Sequence, residues 1–221
     1  KGVAVGAHPG FNDREGFGRR VIPMPAEEIG RMVAAQIGAL MAVARLVPVT
    51  VRYVKPHGAL GNLAARDIDV ARAIAAAVRQ IDDRLAILAI SGTCTETAAR
   101  AAGVPVYSEI FADRGYLSSG QLVPRGQPGA MIEDAGAAAD RLISFLRTGL
   151  MPVIDGAPIK LAAQSICVHG DSPGAVAMAR ALRDHLGALG GAAATVPQDN
   201  DPAPAEEASL EDQIDALDGA G

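Results

Sequence analysis

The sequence predicts an α/β layer protein, and three observations predict it. Five apolar, β-branched runs recur along the chain. Each is continuous rather than alternating in polarity, as strands buried on both faces of a parallel sheet are. Each is followed by a longer segment whose apolar residues recur at helical spacing, and strand followed by helix gives right-handed crossovers in an open sheet or a barrel. Periodicity does not choose between those two.

The strands are expected at Val3 to Ala7, Val49 to Val54, Leu85 to Ile90, Val104 to Ile110 and Ser165 to Val168. The first helix is expected from Pro25 to Leu46. Ile29, Met32, Val33, Ile37, Leu40 and Met41 fall on one face of it, Pro25 stands near its first turn, and Glu27 and Glu28 favour its positive end. Further helices are expected from Asp67 to Ile81, from Glu133 to Arg147 ahead of Gly149, and from Pro173 to Leu189 behind Asp171 and Ser172 as caps. Pro152 to Leu161, with Asp155 and Gly156 between short apolar pieces, reads as a small inserted hairpin. The expected organisation is one β/α domain over residues 1–191 and an acidic, Ala- and Pro-rich tail over 192–221, too poor in apolar side chains to order itself.

Composition excludes several classes. In 221 residues that are 49% hydrophobic, disorder throughout is ruled out, and no run approaches the roughly 20 apolar residues of a spanning helix, so no membrane role is expected. Of the 25 acids, eight lie in the tail with no base beside them, which leaves 17 acids against 20 bases in the body. Its arginines are scattered and not interleaved with aromatics, so no nucleic-acid partner is expected. Cys94 and Cys167 form neither a disulfide framework nor a metal spacing, and with no visible secretion signal a cytoplasmic setting is expected. Lys1 stands without a preceding Met, which reads as a natural start lying further upstream.

Three of the four histidines, His8, His57 and His169, stand directly after expected strands, whereas His185 lies inside a helix and reads as a surface residue. Loops leaving the carboxyl ends of parallel strands converge on one face, so distant residues meet there. A single histidine in such a place often only braces a turn; three of them favour a site. The same loops carry Asp13, Arg14 and Glu15 beyond His8, Lys55 before His57, and Asp171 beyond His169, while the stretch Glu109 to Tyr116 adds Glu109, Asp113 and Arg114. Such a set can perform acid/base work and hold a carboxylate by arginine. A divalent metal, were one bound, would take two or three of His8, His57 and His169 with a carboxylate. Six of the seven aromatics fall in or beside these loops, where core filling is the plain reading of Phe111 and Tyr53, and the long loops Gly10 to Pro23 and Asp113 to Gly129 read as a lid or substrate collar.

Other chemistries are absent. No G-x-x-x-x-G-K-[ST] occurs, no G-x-G-x-x-G opens a helix, and H-E-x-x-H is not present. Cys94 has no adjacent histidine and reads as a structural thiol.

Four stretches carry a resemblance: Gly6 to Arg20 (GAHPGFNDREGFGRR), Val54 to Leu60 (VKPHGAL), Phe111 to Tyr116 (FADRGY) with Leu122 to Arg125 (LVPR), and Cys167 to Asp171 (CVHGD). In this order they closely resemble the LamB/YcsF family of 5-oxoprolinase A subunits, from Lys1 to about Gly191. The resemblance implies a β/α barrel of the glycoside hydrolase/deacetylase type. It is incomplete at the N-terminus, because the Asn-x-Asp-x-Gly-Glu and Gly-Phe-His-Ala-Gly-Asp motifs that open such chains are not found. It further implies ATP-dependent opening of 5-oxo-L-proline to L-glutamate with two partner subunits of the B and C type. ATP is then bound with or by a partner, since this sequence has no nucleotide cradle.

On that reading His57 and Asp113 are the expected base and acid, and Arg14, Arg114 or Arg125 holds the substrate carboxylate. His8, Lys55, His169 and Asp171 orient water or stabilise charge, with Asp13 and Glu109 beside them. A stand-alone metal-dependent deacetylase or amidohydrolase, and a binding subunit without chemistry, are the alternatives.

Overall fold

The computed structural model describes residues 3–170 and 174–188, which fall into two compact units, 3–108 and 109–188. One domain was expected over residues 1–191. The expected tail at 192–221, the caps Asp171 and Ser172, and the side chain of His185 lie outside the described residues.

In the first unit β1 (Val5–Ala7), β2 (Val51–Val54) and β3 (Ala86–Ile90) pair in parallel. Gly6 lies opposite Tyr53, and a Cβ on Gly6 would strike the Tyr53 ring, so only glycine lets that ring lie across β1. β4 (Val106–Phe111) runs from the first unit into the second, where it pairs in parallel with β7 (Ser165–Cys167). Hydrogen bonding orders the strands β1-β2-β3-β4-β7, and no pairing among the described residues joins β7 back to β1. Parallel strands joined by helical crossovers agree with the incomplete β/α barrel expected.

Helix α1 (Ala26–Ala44) buries Ile29, Val33 and Ile37 on the stripe read from the sequence. Gly30 on the same face lets α1 approach the Ala73 carbonyl of α3 (Ile68–Ile81) closely. Asp67 caps α3, accepting from the N–H groups of Asp69 and Val70 at 3.0 and 3.2 Å. The core of this unit lies between these helices and β1 to β3, with Val54, Leu60, Ile74, Val78 and Ile87 fully enclosed.

Two helices were not expected, α2 (Gly58–Arg66) and α4 (Cys94–Ala101). α2 carries two glycines and no capping side chain, and it is held by burying Ala59, Leu60, Ala64 and Ala65; tertiary burial, not propensity, makes so short a helix. α4 did carry a signal, since Thr93-x-x-Glu96 is the capping-box pattern. Here the box is displaced: Thr93 Oγ1 donates to the Ile90 carbonyl, and Glu96 accepts from Gly92 N–H at 2.7 Å.

In the second unit α5 (Ala135–Thr148) is capped by Asp134, which accepts from Ala137 N–H at 2.7 Å, and it ends at left-handed Gly149. An antiparallel hairpin is present, but its first strand, β5 (Leu150–Met151), precedes the expected segment Pro152 to Leu161, and its second, β6 (Ile159–Lys160), falls within it. α6 (Ala175–Ala188) follows β7.

Candidate active site

His8 follows β1 and His57 follows β2, so pairing of the two strands brings their next residues together in the first unit. His57 Nδ1 lies 3.0 Å from His8 Nε2. His8 Nδ1 donates to the Lys55 carbonyl at 2.6 Å, and His57 Nε2 donates to the Phe17 carbonyl at 2.7 Å. Lys55 therefore enters this cluster through its main chain: its N–H donates to Ala7 at 2.9 Å and its carbonyl receives His8.

The loop over the pair is pinned rather than loose. Buried Asp13 accepts from Gly16 N–H at 3.0 Å, from Arg20 N–H at 3.2 Å, and from the Arg20 guanidinium. From α1, the Gln36 amide donates to the Gly10 carbonyl at 2.8 Å and accepts from Gly10 N–H at 3.1 Å, gripping that residue from both sides. Asp13, expected beside the residues that orient water or stabilise charge, folds the loop. Arg14 remains exposed on the wall of a recess of about 450 Å³ that it shares with His8, Phe11, Asn12, Gln36 and His57.

The hydrogen bond from the Arg20 side chain holds the Asp13 carboxyl down to about 2, with help from the Gly16 and Arg20 N–H groups against the opposing effect of burial. A carboxyl depressed in the folded state stabilises the fold above its ordinary value of 3.8, and that stabilisation disappears as pH falls toward about 2. Urea midpoints for the native chain should therefore drop between about pH 5 and about pH 2.5 more steeply than those of Asp13→Asn; parallel pH profiles would refute this.

In the second unit β4 and β7 repeat the arrangement. Asp113 stands two residues beyond β4 and His169 two beyond β7. The Asp113 carboxylate, 1% exposed, receives His169 Nδ1 at 2.9 Å on both oxygens and His169 N–H at 3.2 Å. Burial would push this carboxyl up, but the His169 ring and main-chain hydrogen bonds outweigh it and hold the group below the ordinary carboxylate range. Asp113 is thus an ionised acceptor and cannot be the acid expected of it. Because a carboxylate only accepts, His169 Nδ1 carries hydrogen and its neutral form has the lone pair on Nε2, which has no partner among the described residues.

Glu109 and Arg114 serve the scaffold of this unit. Glu109 lies within β4 rather than in the loop after it; it is buried and receives the Ser165 hydroxyl of β7 at 3.1 Å. Arg114, expected to hold a carboxylate, is 2% exposed and donates to the Ala130 and Val123 carbonyls at 2.9 and 2.6 Å, stitching the loop Asp113 to Gly129 to itself. Arg125 is exposed, with one guanidinium nitrogen 3.2 Å from Met131 Sδ. Asp171 lies outside the described residues. Among the described residues no three His, Cys, Asp or Glu side chains stand close enough together to hold a metal ion. Cys94 and Cys167 form no disulfide.

Sequence reasoning missed Arg141 and Tyr116. Arg141 of α5 donates to the Phe111 carbonyl at 2.7 Å and lies 5.7 Å over the Tyr116 ring, and the Tyr116 hydroxyl accepts from Phe111 N–H at 3.0 Å. Together they fix Phe111, whose ring stacks on His169 at 5.6 Å. Burial pushes the Tyr116 phenol up and the Arg141 guanidinium down. Arg141 sits on the buried stripe of Ala138, Leu142 and Phe145, and a cation on an apolar stripe was the signal.

Residues 1–200 match the model of the LamB/YcsF family. The chain belongs to that family. This LamB/YcsF chain is 51% identical over 189 residues to the 5-oxoprolinase A subunit of Chloroflexus aggregans and 50% identical over 190 residues to that of Azorhizobium caulinodans. Each alignment covers 86% of this chain and 75% of the relative. Among solved structures it is similar to a lactam utilization protein from Thermus thermophilus, with a TM-score of 0.77 and 44% identity over 86% of this chain and 75% of that one. Both histidine sites of this LamB/YcsF chain thus occur on a fold shared with a lactam utilization protein.

Proposed function

We propose that this chain is the A subunit of a 5-oxoprolinase, opening the lactam of 5-oxo-L-proline to L-glutamate in an ATP-dependent reaction with partner subunits. The observation that carries the reading is the identity of about half, over nearly the whole described chain, to 5-oxoprolinase A subunits. A five-membered lactam is a poor electrophile, and phosphorylating its carbonyl oxygen makes the carbon attackable, which gives ATP a purpose. No phosphate cradle is encoded here, so the partner subunits are assigned the nucleotide.

His169 is assigned as the base. Its Nε2 takes a proton from water as the oxygen bonds to the lactam carbon, and buried, ionised Asp113 holds the ring in the required tautomer and offsets the imidazolium charge. The carbon–nitrogen bond then breaks, the ring nitrogen leaves with the proton from His169, and the acyl phosphate so formed is hydrolysed by a second water to L-glutamate and inorganic phosphate. Asp113 acts through His169 and is a positioning residue; Arg141 and Tyr116 position Phe111 beneath it. The expected role of His57 as base is not retained, because both its ring nitrogens are engaged.

Purified chain, partner subunits, ATP and 5-oxoproline should yield glutamate only when all are combined. Glutamate from this chain alone, or none from the complete mixture, would refute the proposal.

A further inference from the structure

In the first unit β3 ends at Ile90 and α4 opens at Cys94, and Gly92, exposed and at a φ of 73°, makes the turn between them. A helix leaves its first N–H groups without intrahelical acceptors, and a side-chain cap normally takes one or two of them. Asp67 and Asp134 cap α3 and α5 in that way. Thr93 stands at the same position of α4 and is a residue of the right kind, yet its hydroxyl is turned back and donates to the Ile90 carbonyl at 2.6 Å. The N–H groups of Cys94, Thr95 and Glu96 therefore have no acceptor among the described residues.

Thr95 is a separate observation. The residue is 4% exposed, and its hydroxyl has no hydrogen-bond partner among the described residues. No fully enclosed side-chain oxygen among them lacks a partner, so the Thr95 oxygen reaches solvent although the rest of its side chain is packed away. Cα–Cβ bonds tilt toward the start of a helix, which leans this first-turn hydroxyl toward the bare amides. Polar groups so nearly buried are hydrogen-bonded as a rule, and one that bonds to nothing is placed to meet a ligand atom. The place is the carboxyl end of β3, and parallel α/β folds bind their ligands just beyond such strand ends.

Charge selects the ligand. Three N–H groups at the positive end of a helix favour an anion. The acid of the first turn, Glu96, is answered in part, since it accepts from Arg100 and the Ser108 hydroxyl at 2.8 and 2.7 Å besides Gly92. It still repels a dianion about twice as strongly as a monoanion, because Coulomb energy scales with charge. The geometry points to a carboxylate site at the N-terminus of α4, in which the N–H groups of Cys94, Thr95 and Glu96 and the Thr95 hydroxyl donate to one carboxylate. The site deepens the lactam reading and rests on it only for the identity of the ligand, the carboxylate of 5-oxoproline.

The test titrates the full 15N-labelled chain with 5-oxoproline, with 2-pyrrolidinone, which is the same lactam without its carboxylate, and with inorganic phosphate. 5-Oxoproline should move the amide resonances of Cys94, Thr95 and Glu96 and bind at least about tenfold more tightly than either other probe, because its carboxylate is a charged acceptor. Thr95→Val removes the hydroxyl and should weaken 5-oxoproline about tenfold, while Thr95→Ser should keep most of the affinity. Cys94→Pro removes one N–H at the first helical position, where proline is accepted, and Thr93 already has the extended backbone (φ −106°, ψ 172°) that a following proline requires. It too should weaken 5-oxoproline about tenfold. The comparison of probes on the unaltered chain decides the proposal even where a variant fails to fold. Equal affinity for 5-oxoproline and 2-pyrrolidinone, tighter binding of phosphate, unmoved α4 amides, or full affinity in folded Thr95→Val and Cys94→Pro would overturn it. Glutamate formation by the complete mixture alongside any of those results leaves the lactam reading standing, whereas carboxylate binding at α4 without glutamate from that mixture keeps the site and removes the reading.

Discussion

Asp113→Asn should lower turnover of the reconstituted enzyme by roughly 10²–10⁴-fold, the range over which a positioned base contributes. The carboxylate receives three hydrogen bonds from His169 in a site that is 1% exposed. An amide of the same shape removes the charge, and when its nitrogen faces the ring it forces hydrogen onto Nε2, which abolishes the lone pair that takes the proton from water. KM should change less than kcat, since Asp113 meets substrate only through His169. A purely structural Asp113 would instead show lost stability with turnover per folded molecule preserved, so the denaturation midpoint and kcat should be measured together. A fall of less than about tenfold in kcat would remove His169 from the role of base.

Gly115→Ala should destabilise the second unit by on the order of 3 kcal/mol, at the upper end of what overpacking costs. A Cβ at this position would collide with the Gly129 carbonyl and press on Val123 Cγ2 at 3.2 Å. Neither wall can yield cheaply: Gly115 N–H donates to the Ala130 carbonyl at 3.1 Å, and its own carbonyl receives Val123 N–H at 3.0 Å. The adjacent Arg114 guanidinium bonds to Ala130 and Val123 as well, so a shift of this crossing would break several buried hydrogen bonds together. Chemical denaturation followed by a probe in residues 109–188 measures the effect, and a loss under about 1 kcal/mol would contradict it.

The strands were legible because strands buried on both faces need apolar residues throughout, as in Ala-Ile-Leu-Ala-Ile of β3. α1 and α3 were legible because each buries a repeating stripe long enough to count. α2 was not, since its stability comes from neighbours that a local window does not contain. Arg114 and Glu109 show the same limit in the site. Both are ionisable groups near a strand end, as an active-site residue would be, yet both are buried and bonded to distant main chain or to β7.

From sequence alone followed the α/β class, the order of strand and helix, the family, and the placing of three histidines just beyond strands, because each depends on side-chain type and spacing along the chain. Which imidazole meets which partner was decided only in three dimensions. Strand pairing sets β1 beside β2 and β4 beside β7, and so puts His8 against His57 and His169 against Asp113. A ring nitrogen becomes donor or acceptor only through the atom lying about 3 Å from it, and residues 49 and 56 positions apart acquire that neighbour only when the chain folds.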